Sequence, residues 1–325
     1  MAVLPTDSTH LSDVDVDLLI EQYGGSVEMQ FKKTSMMRNY VDVRPVRGTD
    51  TIVNNRMGRT TIKKLVPGVR PDADDTPFGK VVLTVDTVVL ARDNRSMLNE
   101  FQTHFSVREK LAQDHGKELG FFFDEAFLIQ AIKGSLMAAP VLGDGTAAKQ
   151  SIGAGKNKVL AAAGDELDPD KLYRAIADII VLMEEAEIPT EELVVFVRPT
   201  AFDTLMDANK LISSEYSESN GDYAKSMLWY IKGARIVKSS RIPQTAITGH
   251  FLSNGRNGNA YDVSAAEAKA VAVILHPKSM LAGETIPLSS DIWFNREEKQ
   301  WFIDSWMAFG VTINRPDCCG AVFKF

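Results

Sequence analysis

SVREKLAQDHGKELGFFFDEAFLIQAIKG, Ser106 to Gly134, is the stretch from which the fold is read. Ser106 and Glu109 stand three apart, so a hydroxyl and a carboxylate can satisfy two orphan amides as a capping box. Behind that cap, Val107, Leu111, Leu119, Phe122, Ala126, Ile129 and Ile132 recur mostly at helical spacing. The spacing predicts one helix of about 28 residues, roughly 40 Å long, against a mean of about 11–12 residues. A helix so long is a strut against which other elements are laid. Phe121, Phe122 and Phe123 cover more than one of its faces, which predicts an arm or loop alongside, of this chain or a neighbour's. Gly116 and Gly120, four apart, permit close backbone approach there. His115 between them reads as a hydrogen-bonded packing residue rather than a ligand.

Composition sets the class. The chain has 325 residues, 45% hydrophobic and 24% charged, ordinary globular values that suggest two domains. No run approaches the ~18 apolar residues of a membrane span. The start is acidic rather than basic-then-apolar, so no secretory signal is predicted. The two cysteines, Cys318 and Cys319, are adjacent, which suits neither a disulfide nor a zinc site and fits a reducing compartment. The net charge of -7 hides a segregation: residues 1–30 carry six acids and no Lys or Arg, and residues 31–70 carry ten bases and two acids. A basic segment in an acidic chain suggests an acidic partner surface or nucleic acid.

Upstream of the strut, VDVDLLIEQY reads as a short acidic helix or extended arm, and Tyr23-Gly24-Gly25-Ser26-Val27 as a turn leading to Phe31. From Arg38 to Val66 the pattern is β-like, in NYVDVRPV, DTIVNN and TTIKKLV. Pro67 to Gly79 is a turn-rich tip. Val81 to Asn94, VVLTVDTVVLARDN, then reads as one strong strand. Together these predict an extended hairpin of roughly 40 residues with nothing nearby to cover it. A two-stranded hairpin is marginal alone, so arm and hairpin are expected to be buried against another molecule.

Downstream, Asp168-Pro169 opens a helix whose buried face is Leu172, Ile176, Ile179, Ile180 and Met183. ELVVFVRP, GARIVKSSRIP and AVAVILHPKSM read as strands, with a short helix in PTAFDTLMDAN. DIWFN and QWFIDSWMAFGVTIN flank the turn REEK, and GAVFKF closes the chain as a short strand. Trp301, Ile303, Met307, Phe309, Val311 and Ile313 give the second of these strands one apolar face, a natural partner for the strut. The fold class is α+β.

Chemistry-bearing motifs are missing. The five histidines are scattered, and neither GxSxG nor HExxH occurs. Asp13, Asp15 and Asp17 start like a calcium loop, but Leu18 and Gly24 stand where Gly and Glu are required. GAGK at 153–156 lacks the first Gly and the final Ser or Thr of a phosphate loop. No catalytic, cofactor or metal residue is assigned, and the chain is not read as an enzyme.

Four short segments, in order, carry a family likeness: YGGSVEMQFKKTSMMRNYV, VRGTDTIVNNRMGRTTIKKLVPG, VVLTVDTVVLARDN ahead of the long helix, and NRPDCCGAVFKF. They resemble the major capsid proteins of short-tailed phages of the T-seven group, from about residue 20 to the end and most weakly between 205 and 270. The adjacent cysteines depart from the small residues usual there, so no thiol role is expected. The resemblance implies the Hong Kong 97-like fold: an N-terminal arm (1–50), an extended β-hairpin loop (51–93), a peripheral domain (94–139 and 286–313) with its spine helix 106–134, and an axial domain (140–285 and 314–325). It implies pentamers and hexamers in an icosahedral virion shell around double-stranded DNA, bound without sequence specificity and assembled in the host bacterial cytoplasm. Partners implied are the chain itself, a scaffolding protein, a portal protein and a decoration protein, with no membrane and no cofactor. Lys63, Lys64, Asn54 and Asn55 lie in the loop, but no Lys–Asn crosslink is predicted. The basic segment is expected to dock on a neighbour through Phe31, Arg56, Arg59, Ile62, Lys63, Lys64 and Leu65. The spine helix is expected to pack through Leu111, Leu119, Phe122 and Ile129, with Trp301, Ile303 and Phe309 opposite. Two other readings are an encapsulin-like nanocompartment shell and an α/β enzyme.

Overall fold

The computed structural model describes residues 13–68, 70, 75–96, 107–143, 150–208, 221–222 and 227–325. Ser106 of the expected capping box lies outside the described residues. The chain forms two compact units: Met1–Met36, Thr87–Phe123 and Thr285–Phe309 make the first, and Met37–Asp86, Asp124–Glu284 and Gly310–Phe325 the second.

The first unit is built on α1 (Asp13–Thr34) and the long helix α2 (Val107–Leu136), which leaves this unit after Phe123. The helix predicted from 106 to 134 is thus present, 30 residues long. The expected turn at Gly24-Gly25 is not: α1 runs straight through both glycines. Two mid-helix glycines cost about 1 kcal/mol each. That cost is offset by the stripe Tyr23, Val27 and Phe31, all buried, each contributing roughly 1.5–3 kcal/mol. The seat of α1 is the glycine pair of α2. A Cβ on Gly116 would stand 2.5 Å from the Val27 carbonyl oxygen, and one on Gly120 would stand 3.2 Å from Thr34 Cβ. Phe31 meets Phe123 edge-on at 5.7 Å. The Tyr23–Phe31 stripe is therefore covered by its own chain, and Phe31 is an internal core residue rather than an intersubunit contact.

The same unit holds β4 (Val89–Ser96) against β13 (Gln300–Ile313), antiparallel from Gln300↔Ser96 to Met307↔Val89. Arg92 grips Asp304 with two hydrogen bonds of 2.7 and 2.6 Å. The stretch Val81–Asn94 is thus not one strand. It breaks between β3 (Phe78–Thr84) and β4, and only β3 belongs to the hairpin.

The second unit centres on a six-stranded mixed sheet in the order β5 (Lys156–Val159), β14 (Cys319–Phe323), β11 (Ala270–Leu275), β6 (Val194–Val197), β10 (Ala234–Lys238) and β9 (Tyr230–Ile231). Helix α3 (Pro169–Glu184) lies on it through Leu172, Ile176, Ile179, Ile180 and Met183, as its periodicity predicts. Asp168 caps α3 by accepting hydrogen bonds from the amides of Asp170 and Lys171. A short helix, α4 (Pro199–Met206), follows β6. The small pair β7 (Gly221–Asp222) and β8 (Met227–Leu228) stands apart from the sheet. GAGK is packing, not phosphate binding: a Cβ on Gly155 would stand 2.1 Å from the Gly134 carbonyl oxygen. Strand β1 (Val43–Pro45) pairs in parallel with the start of β12 (Met280–Asn295). Beside that ladder, Arg38 makes a 2.6 Å ion pair with Glu284, whose pKa is raised by burial against the opposing pull of Arg38.

Candidate functional site

Two places gather polar or exposed side chains in a way that core packing alone does not require. The first is a buried relay in the first unit. Tyr23 Oη stands 2.8 Å from His115 Nδ1 and 3.1 Å from Ser305 Oγ, and His115 Nε2 stands 2.9 Å from Asp93 Oδ2. With Nε2–H donating to Asp93, Nδ1 accepts from the Tyr23 hydroxyl, and every member is partnered. Asp, His and Ser are the residue types of a nucleophilic triad, but the burial is inverted. Ser305 is wholly buried under Tyr23, and the acid is the half-exposed member. A triad needs its nucleophile presented to substrate and its acid inside. What this arrangement can do is fasten α1 to α2, β4 and β13. Burial pushes the Tyr23 phenol up to about 12. His115 is thus a packing histidine, as its sequence setting suggests. Among the described residues no group of three His, Cys, Asp or Glu could hold a metal ion.

The second place is the hairpin of β2 (Thr51–Met57) and β3, in the second unit. Alternation divides its side chains cleanly. Ile52, Asn54 and Arg56 pair with Leu83, Val81 and Gly79 on the inner face. Contrary to the expected bare ladder, this face is covered. Ile52 closes on Gly283, where a Cβ would stand 2.4 Å from its Cδ1, and Leu142 closes on Gly79 at 2.5 Å. Asn54 donates to Asn314 Oδ1 at 2.8 Å. Arg56 donates to the carbonyl oxygens of Ile313 and Asn314. Arg56 is thereby anchored inside its own unit, which corrects its place among the outward-facing bases.

The outer face is different. Val53 pairs with Val82, and Met57 with Phe78. All four are exposed, Phe78 to 64%. Beyond Met57 the expected third strand, TTIKKLV, is absent: residues 58–66 have no regular structure. The tip presents Ile62 at 96% and Leu65 at 70% exposure, with Arg59, Lys63 and Lys64 beside them, all on the surface. Arg59 reaches Glu187 at 3.8 Å. So five of the seven proposed contact residues, Arg59, Ile62, Lys63, Lys64 and Leu65, share one exposed tip, and Phe31 and Arg56 do not.

The packing residues of α2 fall in two environments. Leu111 joins Trp301 and Ile303 around Tyr23, Val27, Ala112 and Ile292. Leu119 is buried, and Phe122 meets Phe309 edge-on at 6.1 Å. Ile129 lies in the second unit, against Val263 and Ala268. Sequence reasoning missed the relay, whose members lie far apart in the chain. It also missed Arg198, buried and bonded to the Pro243 and Ala268 carbonyl oxygens. No local signal marks either.

No family model matches the chain, and no curated protein matches it in sequence. Solved structures do match. A subunit of the mature capsid of bacteriophage PhiM1 is 26% identical, with a TM-score of 0.76 over 100% of this chain and 91% of that one. The chain has the Hong Kong 97-like fold of phage capsid subunits. The capsid of cyanophage P-SCSP1u gives a TM-score of 0.78 at 16% identity, over 90% and 88% of the two chains. The virus-like particle of Pyrococcus furiosus shares the fold at 10% identity, with a TM-score of 0.54 over 94% and 99%. The subunit is thus a mixed helix-and-sheet, shell-forming one, with α2 as its long helix.

Proposed function

We propose that the chain is the major capsid protein of a short-tailed, double-stranded-DNA phage, assembling as pentamers and hexamers into an icosahedral shell. The observation that carries this is the end-to-end match to a mature phage capsid subunit. The four sequence segments resembling the T-seven group support the short-tailed assignment. In the terms of that fold, residues 51–84 hold the extended loop, α2 is the spine helix, and 140–285 with 314–325 form the axial domain.

Function here is contact rather than catalysis. Exposed apolar patches on a soluble chain mark association surfaces. The hairpin offers Val53, Met57, Phe78 and Val82 on one face and Ile62 and Leu65 at its tip. These serve as the self-association surface. The net charge of -7 keeps the shell wall from trapping the polyanion it encloses. Scaffolding, portal and decoration proteins are the further partners, and assembly takes place in the host cytoplasm.

Negative-stain microscopy and sedimentation of the purified chain test the proposal. Closed shells of capsid size are expected. A stable monomer or dimer under all assembly conditions overturns it. Particles that carry a cargo enzyme and exclude DNA during infection point instead to a nanocompartment.

A further inference from the structure

The C-terminal end of α3 carries an acidic corner. Glu184, Glu185, Glu187, Glu191 and Glu192 are all exposed, and Leu182 stands exposed just before them. The backbone there closes as a Schellman motif: Ile188 N–H donates to the Met183 carbonyl at 3.1 Å, and Glu187 N–H to the Glu184 carbonyl at 2.9 Å. Met183 and Ile188, its hydrophobic pair, are both buried. In this motif the residue before Ile188 takes the left-handed conformation, and Glu187 has φ 62°. Glycine is the low-energy choice there, because a Cβ crowds the following carbonyl. The chain keeps a glutamate, with a side chain 85% exposed. A local rule broken at an exposed acid marks its side chain as one kept for a contact.

The complementary surface is on the same molecule. The hairpin tip presents Arg59 and Lys64 beside Ile62 and Leu65, bases around apolar knobs. Within one copy Arg59 reaches Glu187 at 3.8 Å, between two mostly exposed side chains. Ile62 and Leu65 stay in solvent.

We propose that the hairpin tip of one copy seats on the acidic α3 corner of a neighbouring copy. Arg59 and Lys64 lie among the glutamates, and Ile62 and Leu65 against Leu182. This rests on the shell reading above and names the surface that receives the loop. Exposed pairs are weak singly. Like-charge contacts are costly and set which surfaces can meet.

A mixing experiment tests it. One variant reverses the tip (Arg59→Glu, Lys63→Glu, Lys64→Glu). A second reverses the corner (Glu184→Lys, Glu185→Lys, Glu187→Lys). Circular dichroism confirms that each is folded. Each alone is expected to lose about tenfold or more in particle yield. Mixed, they are expected to form shells containing both chains, because each tip then meets an opposite corner on the other chain. An odd ring keeps one mismatch, so the mixed yield stays below wild type. If either variant alone assembles like wild type, the proposal falls. It also falls if mixing fails while both reversals in one chain restore assembly, since the contact is then internal. If wild type itself forms no shell, the capsid reading falls and takes this contact with it. Glu187→Gly separates folding from contact: its thermal midpoint should rise while its particle yield drops. A raised midpoint with unchanged yield removes Glu187 from the interface.

Discussion

Helix α1 and the β2–β3 hairpin look alike on paper, as two peripheral elements with thin apolar content and an unbalanced charge. They have opposite fates. α1 lays one buried stripe, Tyr23, Val27 and Phe31, into a groove cut by Gly116 and Gly120, and a four-membered polar relay locks it there. The hairpin covers one face only, and leaves Val53, Met57, Phe78 and Val82 on the other. The first element is closed within the subunit, whereas the second leaves an apolar face open. Truncating a side chain should therefore act on folding in one place and on association in the other.

The largest expected effect on the subunit is Phe31→Ala. It empties a fully buried site beside Phe123 and should destabilise the fold by about 3–5 kcal/mol, read by chemical denaturation and by faster amide exchange across α1. Gly116→Ala comes next. Alanine is the better helix former, but its methyl would meet the Val27 backbone at 2.5 Å, so a loss of about 1–3 kcal/mol is expected. A gain in stability would show that α1 does not sit this close.

Tyr23→Phe removes the hydroxyl shared by His115 and Ser305, for a loss of about 1–3 kcal/mol. It also carries a pH signature. The Tyr23 phenol sits near 10.0 when unfolded and is pushed up to about 12 by burial. A pKa raised on folding gives a contribution that is whole below pH 10 and is lost as pH rises through 12. Wild type should lose stability over that window, and the phenylalanine variant should lose less. Tyr261 and the buried Cys318 and Cys319, all raised likewise to about 12, contribute to the rest. Smallest of all is Ile62→Asp, within about 0.5 kcal/mol of wild type in subunit stability yet defective in particle formation. A large unfolding effect there would place the tip inside the core and erase the contrast.

How much was legible follows the same line. Periodicity found α2 and α3, because the residues that bury them sit at regular spacing, and Asp168-Pro169 marked the start of α3 by local chemistry. Local rules failed where tertiary contacts decide. Gly24-Gly25 reads as a turn by propensity, and only the groove of α2 makes it helical. Val81–Asn94 reads as one strand by β-branched content, yet its two halves pair with different partners, Thr51–Met57 and Gln300–Met307. The exposed tip was legible through charge, since Arg59, Lys63 and Lys64 cluster in the chain itself. Arg56, three residues before Arg59, is the same residue type, and only the alternation of β2 turns it inward.

The two adjacent cysteines carry a practical consequence. Cys318 and Cys319 are buried and free, and burial pushes both thiols up to about 12. At neutral pH neither is a thiolate, and neither offers a nucleophile to a labelling reagent. The chain has no other cysteine. A single Leu167→Cys substitution, at a residue 71% exposed and outside the proposed contact, would therefore install one addressable handle per subunit. A closed shell built from it would be a particle whose surface chemistry can be dosed by counting copies.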